Sequence, residues 1–509
     1  MPVPRTASSP PRVSAWQAAG LLALLHGVLA LLVLQPAPYI GGDNAAYLAL
    51  ARSLAERGAY LDLWDPAQPP HTQYPPLFPL LLAVALRAGV DGWVGLKLVT
   101  AACSMAAVGA SYLWMRRATS PGIAAAAGGL LAILPGPLVL AHQGLSDVPF
   151  WAVALLALWA AARLDERDTL PRGLATALLA SAAYLTRSAG LPLVLALAAA
   201  MLLGRRWRAL AVLAAGVGIP AAAWWMRGRA LGARGYTSYL WYLDPYQPAL
   251  GTIGPAGLAA RMGQNLVNYF GEHLPVVLGG ATPARVGLAV AIGVLALAGW
   301  ARRLGRPRAP EFFLPLYAGL LLVWPATWSG ERFLLPILPL LLVYAGEALR
   351  DAAAVLRVHP LRAGAAATAL AAALAIPGTL VQARHGLECS RRFRAGEAFP
   401  CLTPVWRDLF AVAQRSRGVL PPGAAVLSRK PTLFFALSGH PSRIYPSTRD
   451  PEEFFRAARE AGAEWVVIDR VPDLAPIFLH PVVRARPGAF CPVLVLPQAT
   501  LARIAPQGC

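Results

Sequence analysis

Charge is what this chain has least of. Only 14% of its 509 residues are charged, whereas 57% are hydrophobic and the mean hydropathy is +0.52. So low a charged fraction excludes a disordered or ordinary soluble chain and indicates a polytopic membrane protein. Acidic residues are the scarcer sign, 25 against 45 basic, for a net charge of +20. That excess does not indicate nucleic acid, because no basic stripe with interleaved aromatics accompanies it. The arginines instead fall in short loops between apolar runs, as the positive-inside rule requires of cytoplasmic loops, and anionic lipid headgroups are the partner that suits them. No HExxH, no dense carboxylate cluster and no nucleotide-binding loop is found, so no metal or nucleotide site announces itself. Cysteine is scarce too, with five residues and no CxxC pair.

What is present is a series of Ala/Leu/Val/Gly runs that recur to about residue 381 and then give way to mixed, shorter segments. The expected organisation is therefore a mainly α membrane helix bundle over residues 1–381, with a first outer loop at 36–93, and a small α/β soluble domain over 382–509. Arg116–Arg117, Arg163 to Arg172, Arg205 to Arg208, Arg302 to Arg308 and Arg350 to Arg362 are read as inside loops. Spans are then expected near 15–35, 94–115, 121–141, 148–163, 173–188, 190–204, 209–226, 283–300, 312–326, 332–349 and 363–381. That is about eleven, within a range of about 11 to 13, and an odd number places the soluble domain outside. Met1 to Ser14 is polar and carries Arg5 and Arg12, and the apolar run behind it is longer than a signal-peptide core and lacks a cleavage site. An uncleaved first span with its N-terminus inside is expected. The short helix from Pro76 to Val90, opened by two prolines and closed by Asp91-Gly92, is expected to be re-entrant or to lie along the outer face.

The chemistry is expected in the polar, aromatic stretch from Tyr39 to Leu82. Asp43 follows a Gly pair, and Tyr47 four positions on shares its helix face. On the expected topology Asp43, His71, Tyr74, His142, Asp147, Arg187, the interval Tyr236 to Tyr246, and Glu331-Arg332 all reach the outer face, which points to one polar site there.

Within the soluble domain, Thr403 to Arg417 and Pro451 to Ala461 read as helices, and Ala425 to Arg429 and Glu464 to Asp469 as strands. Cys389, Cys401, Cys491 and Cys509 all fall here, while Cys103 sits in an apolar run. Four cysteines in an outside domain suggest disulfides, and proximity favours Cys389 with Cys401 and Cys491 with Cys509; zinc is the alternative.

These elements resemble the GT-C glycosyltransferases that use polyprenyl-phosphate-linked sugars, the class of the protein O-mannosyltransferases and of the aminoarabinose transferase that modifies lipid A. The resemblance runs through most of the membrane part and rests on GGDNAAY (Asp43), YPPLFPLLLA, SDVP (Asp147), LTRSAGLP (Arg187) and ERFLLPILPLL (Arg332). The chain departs from the pattern where many members carry Asp-Glu, since Asn44 follows Asp43. It departs again where relatives place a Lys before the Pro pair to contact phosphate, since His71, Thr72 and Gln73 stand there.

The resemblance implies inverting transfer of a hexosyl or pentosyl group from a polyprenyl-phosphate-sugar donor to a lipid, glycan or protein acceptor, in a multi-pass protein of the bacterial inner (plasma) membrane. Asp43 is then the base or acceptor-orienting group, against the alternative that it only caps the helix starting at Asn44. Asp147 supports it, or simply begins a helix with Pro149. Arg187 and Arg332 are the phosphate contacts, or snorkel to headgroups. Tyr74 lines the donor site, while His71 and His142 are binding candidates or ordinary polar residues. Some relatives need a divalent ion, so a metal stays open. A proton-coupled secondary transporter, with Asp43 and Asp147 as a relay, is the competing class.

Overall fold

The computed structural model describes residues 13–233 and 239–509. Arg5, Arg12 and Tyr236 lie outside the described residues.

Helices of six residues or more are numbered in chain order. The membrane part begins with α1 (Ala15–Val33), whose Ser14 and Gln17 form a capping box. Next come α2 (Asp43–Arg57), α3 (Leu77–Arg87), α4 (Gly92–Ala118), α5 (Pro121–Ile133), α6 (Pro135–Leu140), α7 (Asp147–Glu166), α8 (Leu170–Thr186), α9 (Leu191–Leu203) and α10 (Trp207–Ala230). After these come α11 (Pro255–Asn268), α12 (Pro283–Arg303), α13 (Ala309–Val323), α14 (Leu338–Val355) and α15 (Pro360–Arg394). Six of them, α1, α4, α7, α10, α12 and α15, are long and apolar enough to cross a membrane.

One expected span, 121–141, is broken, and the expected break between 173–188 and 190–204 is found, each for a local reason. The run 121–141 divides into α5 and α6 because Pro135 drives Leu134 into an extended conformation. Between α8 and α9 Arg187 is extended as well, and Gly190 closes the break, where a Cβ would come within 2.9 Å of the Ala183 backbone. The 11-residue α3 covers roughly 16 Å, about half of a hydrocarbon core, and packs on α2 and α8.

Small residues let the helices approach closely, as membrane packing favours. A Cβ on Gly299 would strike the Tyr344 backbone, and one on Gly386 of α15 would sit 2.5 Å from Val33 at the end of α1. The outward faces keep their leucines and valines exposed, for instance Leu21, Val28 and Leu31 on α1. The basic loops gather at one end through ion pairs between neighbours: Arg117 with Glu166, Arg206 with Asp165, Arg302 with Asp351, and Arg303 with Glu347 and Glu311.

α15 continues past residue 381 and carries Cys389 into the soluble domain, where it is bonded to Cys401. Cys491 is bonded to Cys509, so both pairings follow sequence proximity. The domain is a five-stranded sheet ordered β2-β1-β3-β5-β4. β1 (Ala425–Leu427), β2 (Ser442–Arg443) and β3 (Ala463–Asp469) are parallel, and β4 (Phe490–Leu496) and β5 (Ala499–Ile504) form an antiparallel hairpin. α16 (Pro404–Ser416), α17 (Pro431–Ser438), α18 (Pro451–Glu460) and α19 (His480–Ala485) surround it.

The soluble domain is seated on the first loop. Arg443 binds Asp65 through two 2.8 Å hydrogen bonds, Ser442 N donates to Trp64 O, and Ala45 of α2 belongs to the domain's own core.

Candidate active site

The site begins at a backbone turn. Gly42 is the N-cap of α2 with φ 98°, a left-handed conformation that glycine alone adopts without strain. Asp43 is thereby the first helical residue, and its carboxylate turns away from the helix. Oδ1 accepts from Tyr74 Oη at 3.2 Å, and Oδ2 accepts from Arg332 Nη1 at 3.2 Å. The capping alternative is therefore replaced by an ion pair across 289 residues of sequence.

Tyr47 packs between Tyr74, tilted at 4.8 Å, and Phe78, edge-on at 5.0 Å, and shares a 2.8 Å hydrogen bond with Ser146 Oγ. Ser146 precedes Asp147, the first residue of α7. Arg187, projecting from the α8–α9 break, donates to Ser146 Oγ at 3.1 Å and stands 2.7 Å from Asp147 Oδ2, an ion pair without hydrogen-bond alignment. Arg187 and Arg332 both lie over the Phe333 ring, at 5.3 and 4.8 Å, and Arg332 feels the charge of both Asp147 and Asp43. The two carboxylates thus belong to one network of two arginines joined by a ring. Burial pushes the Tyr47 hydroxyl well above the ordinary tyrosine range, so it stays neutral.

The structure therefore brings together Asp43, Tyr47, Tyr74, Asp147, Arg187 and Arg332. His71 stands one layer behind. Its Nδ1 meets Asp62 Oδ1 at 2.5 Å, its Nε2 accepts from Tyr74 N at 2.7 Å, and its ring stacks on Tyr74. With both nitrogens committed, His71 holds Tyr74 in place. His142 is buried beside Lys97 with Nε2 unpartnered, away from the arginine pair. Across the site from Asp43, Tyr239 and Tyr246 pack on Trp328, and Trp324 packs on Phe333.

Sequence reading missed two lysines, the only ones in the chain. Lys97 on α4 donates to the Gln35 and Ala37 carbonyls and fixes the exit from α1. Lys430, which precedes α17, donates to Gly41 O at 3.1 Å, and Thr432 Oγ1 donates to Gly42 O at 2.9 Å. Rarity was the available signal, since a chain that uses arginine almost everywhere keeps lysine at these two places.

Among the described residues the carboxylates of the site offer a divalent ion no ready donor set. Asp43 and Asp147 each face an arginine. Among the described residues the one close trio of ligand types is His385, Cys389 and Cys401, whose cysteines are joined to each other.

Comparison with solved structures finds the same fold in membrane glycosyltransferases. ArnT from Cupriavidus metallidurans superposes with a TM-score of 0.58 at 16% identity, over 95% of this chain and 97% of that one, and is known with undecaprenyl phosphate bound. The oligosaccharyltransferase AglB from Archaeoglobus fulgidus, in complex with an inhibitory peptide and a dolichol-phosphate, gives 0.53 at 14% identity, over 89% and 69%. The same oligosaccharyltransferase with Zn and sulfate gives 0.55 at 16% identity, over 97% and 73%. Residues 73–225 match the family described as dolichyl-phosphate-mannose-protein mannosyltransferase. A search of curated sequences finds no match. The fold is thus the GT-C fold of these membrane glycosyltransferases, and residues 73–225 carry the family similarity.

Proposed function

We propose that this chain is an inverting glycosyltransferase that moves a sugar from a polyprenyl-phosphate-linked donor to an acceptor at the outer membrane face. The observation that carries the reading is the position of Asp43. Its carboxylate is held by a tyrosine and an arginine in a partly open site instead of being used up on a helix cap.

The acceptor hydroxyl or amine attacks the anomeric carbon, the bond from that carbon to phosphate oxygen breaks with inversion, and polyprenyl phosphate leaves. At rest Arg332 is paired with Asp43. When Arg332 and Arg187 turn to the phosphate as its charge develops, Asp43 is freed to orient the nucleophile and take its proton. Asp147 and Ser146 together position Arg187. The donor set described above does not suit a divalent cation, and no step is routed through one. A proton relay for transport draws no support from carboxylates that are both paired with arginine at the end of the bundle next to the soluble domain.

Gathering of the basic loops at the other end supports a cytoplasmic N-terminus and an extracytoplasmic soluble domain.

The test is release of polyprenyl phosphate from a panel of radiolabelled lipid-linked monosaccharides in nanodiscs. Asp43→Asn is expected to lose about 10²- to 10⁴-fold of turnover while remaining folded. Equal turnover in both proteins would move the base elsewhere.

A further inference from the structure

Both arginines of the site already face a carboxylate, so at rest the Asp43–Arg332 and Asp147–Arg187 pairs leave little positive charge for an incoming anion. His71, Thr72 and Gln73 add none, His71 being held by Asp62 and Tyr74. One further cation borders the same turn. Lys430 Nζ reaches Gly41 O and lies 5.8 Å from the Trp406 ring, and among the described residues it forms no ion pair with a carboxylate.

Its place in the fold is where a ligand is expected. β2 and β3 flank β1 on opposite sides and run parallel to it, so the order reverses at β1 and β3, and ligands of open α/β sheets settle at the carboxyl ends of strands at such a switch point. Ser428, Arg429 and Lys430 follow β1 directly, and Asp469 ends β3. Behind this edge two buried polar groups, Asp469 Oδ2 and Tyr445 Oη, have no hydrogen-bond partner among the described residues. Arg429 is held by Asp473 at 2.8 and 2.7 Å, which leaves Lys430 as the uncommitted charge. This edge of the soluble domain abuts the Gly41–Asp43 turn.

We propose that the carboxyl edge of the soluble domain supplies an anion subsite to the membrane-embedded site, with Lys430 as the contact for the phosphomonoester of the lipid leaving group. The assignment rests on the glycosyltransferase reading above. It makes the soluble domain part of the donor site, with a cation delivered from 387 residues beyond Asp43 in sequence. Burial and the neighbouring Arg429 push the Lys430 ammonium down to about 8, offset in part by Asp473, Asp43 and Asp469. An arriving phosphate dianion, already doubly ionised above about pH 6, restores the charged form.

The experiment measures equilibrium binding of undecaprenyl phosphate to the full-length protein in nanodiscs at pH 7.0 and 9.5, with undecaprenol and inorganic phosphate as the other probes. Wild type is expected to bind undecaprenyl phosphate about tenfold more weakly at pH 9.5. Lys430→Gln is expected to bind roughly tenfold to a hundredfold more weakly at pH 7.0 and to lose the pH dependence, as removal of a charge-assisted contact implies. Lys430→Arg should retain the affinity at both pH values, and both variants should melt no lower than wild type.

Competition by millimolar inorganic phosphate would show that the headgroup alone is recognised, whereas its failure would show that the lipid-linked phosphate is required; the subsite stands in either case. Undecaprenol binding as tightly as undecaprenyl phosphate, or Lys430→Gln binding undecaprenyl phosphate like wild type, would overturn the subsite. In the second of these outcomes the glycosyltransferase reading would stand if Asp43→Asn still abolished turnover. Wild type that neither binds nor releases the lipid phosphate would overturn both.

Discussion

The two ends of the bundle are built from the same parts and use them differently. At the basic-loop end Arg303 holds Glu347 at 2.7 and 2.5 Å and donates to Ala118 O, while Glu311 accepts from Tyr344 Oη at 2.9 Å and from Arg308 N at 2.9 Å. Nearly every donor there has an acceptor. At the other end Asp43 has two longer contacts of 3.2 Å, Asp147 faces Arg187 without alignment, and the Asn44 amide lacks partners among the described residues. A saturated arginine–carboxylate network clamps helices, whereas an unsaturated one in a partly open site retains donors and acceptors for a ligand.

The comparison breaks most sharply at Arg303. Arg303→Met strands Glu311, which is 2% exposed, and should cost about 3–5 kcal/mol, read as a large fall in Tm with lipid-phosphate affinity unchanged in the folded fraction. Asp469→Asn sharpens it within the soluble domain. Burial pushes this carboxyl up to about 6, above its unfolded value, so the folded state holds the proton more tightly. Its contribution to stability is therefore greatest below about pH 4 and declines as pH rises to about 6. The asparagine variant should lack that decline and be more stable above pH 6, by up to about 3 kcal/mol, in melting curves taken from pH 4.5 to 7. Tyr74→Phe is the mildest cut. It removes the hydroxyl that donates to Asp43 and should lower turnover by about tenfold or less, with Tm nearly unchanged.

Much of the site was legible because apolar runs and arginine clusters fix which loops share an end. Once Asp43, Asp147, Arg187 and Arg332 were assigned to one side, their meeting required only that the helices pack. The pairing of Cys389 with Cys401 and Cys491 with Cys509 was legible for a similar reason, short separation in sequence. Lys430 was not, because its relation to Asp43 depends on how the sheet sits on the first loop, a tertiary fact with no periodic trace. The role of His71 was hidden for the opposite reason. In sequence it stands in an aromatic, polar loop like a ligand-binding residue, and only the Asp62 and Tyr74 contacts show it supporting a neighbour. The β4–β5 hairpin was also missed, since Pro492 interrupts the alternation that marks a strand.

The close crossing of α1 and α15 at Val33 and Gly386 gives the protein a common pivot. The turn that presents Asp43 begins a few residues beyond one arm, and the domain that presents Lys430 hangs from the other. Helices locked at this crossing are expected to tilt as a pair, so that the Asp43 turn and the edge bearing Lys430 keep their separation when the bilayer thins or thickens.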